Sequence, residues 1–172
     1  MDNLPMLPLL VRWLHLVCAC LAVGGPFFLR YVLIPAGEAT LDAPAQARVR
    51  EAVSKLWGVM VHALITLFIL SGLYTFFYVV LPMDLGRWKA LYHALFGLKM
   101  MLSLVIFFLA SVLPGRSQAF AFIRAKSKFY LSAMLVMLFV VLMLANGLRA
   151  IRDRALLERK TPPATTAPIE TI

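Results

Sequence analysis

The chain has 172 residues, 62% of them hydrophobic, and carries a formal net charge of +9. A soluble domain is about half apolar, so this composition excludes a water-soluble globular protein, and the length leaves no room for a separate soluble domain. The bases flank apolar runs, which reads as contact with anionic lipid headgroups and not with nucleic acid.

No Asp, Glu, Lys or Arg occurs from Trp13 to Leu29, from Leu56 to Met83 or from Phe129 to Leu148. A fourth run, Ala90 to Gly115, is broken only by Lys99. A bilayer core about 30 Å thick takes roughly 20 helical residues. Membrane strands would be short and alternating, and these runs are long and unbroken. The fold class is therefore all-α, a polytopic membrane protein with a bundle of four transmembrane helices occupying residues 1–159.

In chain order the first helix is expected over about 7–33. Its Gly24-Gly25-Pro26 sequence should kink it or admit a neighbouring helix, and Pro35-Ala36-Gly37 should close it. "LVCAC" loosely resembles a lipoprotein cleavage site, but the apolar stretch continues past it, so the segment reads as a retained helix. Asp42 then offers an N-cap, with Pro44 in the first turn. The second helix should run over 43–81, entering the bilayer near Trp57. The third should span 88–113 and end at Pro114-Gly115, and the fourth should span 129–158. The Pro/Thr-rich tail 160–172 reads as disordered.

Loops one and three hold Arg30, Arg48, Arg50, Lys55, Arg116, Arg124, Lys126 and Lys128. The other side holds as many bases. The C-terminal flank of the first helix is the more basic, which favours loops one and three on the cytoplasmic side.

All three histidines, His15, His62 and His93, fall inside expected spans. Ionisable groups in a bilayer are costly and mark candidate functional sites. The first and third helices run in the same direction, so His15 and His93 are expected near one membrane face, where they could share a ligand. His62, on a helix of opposite direction, should lie on the order of 20 Å away and form at most a second site. Lys99 should be about 9 Å deeper than His93, and no Asp or Glu inside the apolar runs can partner it.

Three readings fit these residues. A b-type haem could take His15 and His93 as axial ligands to iron, with Lys99 or an arginine beside a propionate. Gly97, on the His93 face, would leave room for the macrocycle. Copper could take His15, Cys18 and Met100. A non-catalytic bundle would use the histidines for packing alone. Whether the chain is an enzyme is left open.

"RWLHLVCACLAVGGPFFLR" resembles the first helix of copper-resistance protein D-like membrane domains, which show Trp-x-His and a later Gly-Gly. It is also similar to the opening of bacterial HemJ-type protoporphyrinogen oxidases, in which a first-helix His is followed about four turns later by an Arg; here these would be His15 and Arg30. "WKALYHALFGLKMMLSLV" resembles the HemJ helix that carries a lysine, which places Lys99 at that position. "SKFYLSAML" departs from that family's later Asn-Glu-x-Pro motif, and Leu109 and Ala110 stand where it has a further histidine. The resemblance implies a four-helix scaffold in a bacterial inner membrane that carries haem b in electron transfer or handles copper. Its expected partners are the lipid bilayer and either a redox partner or a second copy of the chain. Arg30 joins His15, His93 and Lys99 as an expected cofactor-binding residue.

Overall fold

The computed structural model describes residues 6–115 and 117–160. Four long helices span Met6–Thr40, Ala43–Val80, Gly86–Val112 and Ser127–Lys160. Each is long and apolar enough to cross a bilayer, with an 18-residue stretch whose mean hydropathy runs from 2.0 in the first to 2.4 in the fourth. Their large apolar side chains mostly face outward, Leu56, Val59, Phe129 and Val136 among them. In water such a surface would aggregate; in lipid it is the ordinary exterior. The chain is an integral membrane protein with four spans.

The third and fourth helices form the most extensive pairing, and the first packs on both the second and the fourth. The second also meets the third, so the first and third stand diagonally across the bundle. Two buried clusters hold it together. One joins Ile106, Leu109 and Val112 to Leu131 and Met134 near the loop-one and loop-three end. The other joins Val80, Leu85 and Tyr92 to Leu148 and Ala155 at the opposite end.

Local chemistry explains the helix ends. The first helix does not close at Pro35 as expected. Leu29–Leu33 widens into a π-turn, where the Ile34 N–H donates to Leu29 O, and Pro35 falls in the first turn of a continuation over Ile34–Thr40. A proline there removes an N–H that a first turn does not need. Asp42 caps the second helix through Ala45 N donating to Oδ1 at 2.9 Å. That helix ends in another π-turn, Phe76–Val80, before Pro82. Gly86, at φ +50°, supplies the left-handed turn into the third helix. The fourth helix starts at Ser127, after a short helix over Ala121–Ala125. It continues to Lys160, and tail residues 161–172 lie outside the described residues.

Gly25 seats the first helix on the second. A Cβ built there would lie 1.8 Å from Trp57 Cη2, whereas one at Gly24 would meet nothing within 4 Å. The expected close approach is thus made by Gly25, against an indole ring.

Candidate functional site

His15 lies half-buried on the inner side of the first helix. Its Nδ1 is 2.7 Å from Ser71 Oγ on the second helix, and its ring packs edge-on against Phe68 with centroids 4.9 Å apart. Ser71 is 4% exposed, the one fully buried polar residue among those described. Its hydroxyl is also 2.7 Å from Leu67 O and 3.2 Å from Phe68 O, as is usual for serine in an apolar helix. Carbonyls only accept. When the hydroxyl proton goes to Leu67 O, the His15 Nδ1–H donates to Ser71, and Nε2 keeps its lone pair.

Lys99 is partly buried on the third helix. Phe76 of the second helix stacks on Phe96 of the third, with centroids 5.4 Å apart. Lys99 therefore comes within a turn of Ser71 along the bundle axis. Three helices thus bring an imidazole, a hydroxyl and a lysine amine to one level of the bundle.

His93 is not part of this layer. Phe76–Phe96 stacking puts it about eight residues, roughly 12 Å, from the level of Ser71. It is exposed, and its ring lies against Tyr92 with centroids 6.3 Å apart. The structure does not bring His15 and His93 together, contrary to the expectation of a shared level. The cause is register: seating Gly25 on Trp57 and His15 on Ser71 sets the first helix deeper in the bundle than its sequence boundaries suggest. Gly97 faces open space; a Cβ there would meet nothing within 4 Å.

The other expected residues are dispersed. Arg30 lies four turns beyond His15, where its Nε reaches Lys128 O at 3.2 Å and Ser132 Oγ at 3.1 Å, tying the first helix to the fourth. Cys18 is 2% exposed, one turn after His15, and Met100 is exposed on the third helix. His62 is exposed on the second helix; its Nδ1 donates to Gly58 O at 2.6 Å, and Thr66 Oγ1 donates back to His62 O. It lies nine residues from Ser71, about 14 Å, and so belongs to a separate place. Among the described residues no three His, Cys, Asp or Glu side chains gather as a metal-holding group.

Sequence reading missed the partnership of Ser71 with His15. Ser71 is visible as one of a polar line with Thr75 and Tyr78, which reads as helix-packing glue. Only the register shows which hydroxyl meets the imidazole. No family model, curated protein or solved structure matches this chain.

Proposed function

We propose that this membrane protein holds a b-type haem through His15 and takes part in electron transfer, with Lys99 as counter-cation to a haem carboxylate. The observation that carries this reading is the His15–Ser71 hydrogen bond. A metal-bound histidine characteristically donates its second ring nitrogen to a fixed partner, which sets tautomer and orientation; Ser71 supplies that partner at 2.7 Å. Lys99 supports it as a basic group at the same level of the bundle, in a layer whose apolar runs contain no carboxylate. On this reading His15 would be the one iron ligand, since His93 lies roughly 12 Å from its level and would not flank the same iron. A haem held there would supply one-electron chemistry. The chain's own part is to fix the imidazole, neutralise an acid and exclude water. Residence in a bacterial inner membrane, and docking of a redox partner or a second copy, belong to the same proposal and draw on the first-helix resemblance.

A second reading, copper bound by His15 and Cys18, draws on the burial of the Cys18 thiol one turn from the imidazole. One purification separates the two. The full chain, purified in a maltoside detergent from haem-replete cells, is examined by absorption spectroscopy and elemental analysis. A Soret band lost in His15→Ala, shifted in Ser71→Ala and retained in His93→Ala is the expected result. A Soret band that survives His15→Ala, or no haem in well-folded protein, overturns the haem reading. Copper near one per chain without a Soret band, lost in Cys18→Ala, replaces it with the second.

A further inference from the structure

A cavity of about 720 Å³ opens at the loop-one and loop-three end, far from His15. All four helices and the first and third connections contribute to it. Its walls include Leu33, Val53, Trp57 and Leu113, while Arg50, Lys126 and Lys128 stand in its lining with one carboxylate, Glu38. Lys128 Nζ is 2.7 Å from Glu38 Oε2, so that carboxylate is already neutralised. Arg50 Nη2 donates to Arg124 O at 3.1 Å. Arg124 itself has a buried Nη1 without a hydrogen-bond partner.

The cavity lies across the edge of the apolar zone. The charge-free run of the first helix ends at Leu29, that of the second begins at Leu56, and that of the fourth begins at Phe129. Cavity residues fall on both sides of each boundary. The bases therefore sit where headgroups lie, and the apolar walls sit where acyl chains lie.

We propose that this cavity binds one anionic phospholipid, its phosphate against Arg50 and Lys126 and an acyl chain along the apolar wall beside Trp57. The volume is far larger than a phosphate ion needs, since a water occupies only about 30 Å³. An apolar wall offers a free ion nothing, whereas a lipid uses both halves. Basic pockets between membrane helices are recognised chemistry for acidic headgroups. The occupant is independent of whatever His15 holds.

The test is native mass spectrometry of the full chain in a neutral detergent, with phosphatidylglycerol, phosphatidylcholine of the same acyl chains, or inorganic phosphate added separately. Phosphatidylglycerol is expected to give one adduct that survives activation energies at which phosphatidylcholine is lost, and phosphate alone none. Arg50→Gln with Lys126→Gln should weaken that adduct on the order of thirtyfold, from about 1 kcal/mol for each of the two bases. Ala47→Trp, which fills the cavity without altering charge, should weaken it as well, and Lys89→Gln at the opposite end should not. Circular dichroism and a retained thermal transition establish that each variant is folded. Equal retention of the two lipids, an unchanged adduct in the double variant and in Ala47→Trp, or a phosphate adduct as persistent as the lipid's, each overturns the proposal.

Discussion

Replacing Gly25 by alanine tests how the first helix is held. The added Cβ would lie 1.8, 2.3 and 2.9 Å from Trp57 Cη2, Cζ2 and Cζ3, against an ordinary carbon contact of about 3.5–4.0 Å. The indole or the helix must therefore move by about 2 Å. Overpacking of this kind costs about 1–3 kcal/mol, while alanine gains about 1 kcal/mol of helix propensity over glycine. The net expectation is a loss of about 0–2 kcal/mol, which leaves Gly25→Ala about 1–3 kcal/mol below Gly24→Ala. Gly24→Ala meets nothing within 4 Å and keeps only the favourable part, so it should be neutral or stabilising. Reversible unfolding in mixed micelles reads both. Combining Gly25→Ala with Trp57→Leu should recover most of the loss, a coupling that neighbouring residues show and distant ones do not. If Gly25→Ala is as stable as Gly24→Ala, or its effect simply adds to that of Trp57→Leu, the helix is not seated as described.

Two further outcomes follow from individual contacts. Asp42→Ala removes the acceptor for Ala45 N and should cost about 1 kcal/mol; amide exchange should show faster opening of the first turn of the second helix and leave Trp57 onward unchanged. Arg30→Ala removes the tie to Lys128 O and Ser132 Oγ and should lower the unfolding free energy by about 1–2 kcal/mol. Any absorption band that depends on His15 should persist in that variant, and its disappearance in protein that remains folded would return Arg30 to the cofactor site.

The four spans were legible because the hydrocarbon core imposes a length and a composition on every segment that crosses it. The cap at Asp42 was legible because capping is local: four residues, Asp42 to Ala45, contain the whole interaction. The continuation past Pro35 was not, because nothing in "LRYVLIPAG" distinguishes a helix that stops from one that first widens by a residue and so absorbs the proline. The polar layer was half legible. His15 and Lys99 stand out as ionisable groups in apolar runs, but their meeting depends on how far each helix slides past its neighbours. That slide is fixed by side-chain seating, Gly25 under Trp57 and Phe76 on Phe96, and a one-turn error is about 5.4 Å. A shared helix direction puts His15 and His93 toward one membrane face, but side-chain seating, and not direction, sets the depth of each.

The distribution of packing gives this layer its chemical opportunity. Both buried clusters are centred on the third and fourth helices, the second helix joins one of them through Val80, and the first helix adds only Leu29 and Ile34 to the margin of the other. The first helix is fastened instead at separated points: the Gly25 seat, the Arg30 tie and the His15–Ser71 bond. Between membrane helices there is little hydrophobic drive to associate, so small residues and polar contacts carry a larger share of the fastening. An interhelical hydrogen bond in lipid contributes only about 0.6 kcal/mol on average, too little to account for a histidine placed in an apolar run for adhesion alone. A threonine or a second serine would serve that purpose with less desolvation. An imidazole adds a second ring nitrogen, and with Nδ1 taken by Ser71 that nitrogen is directed away from the fastening. The bond to Ser71 thus joins two helices and orients His15 at once, which is why the layer, and not the better-packed ends, carries the functional proposal.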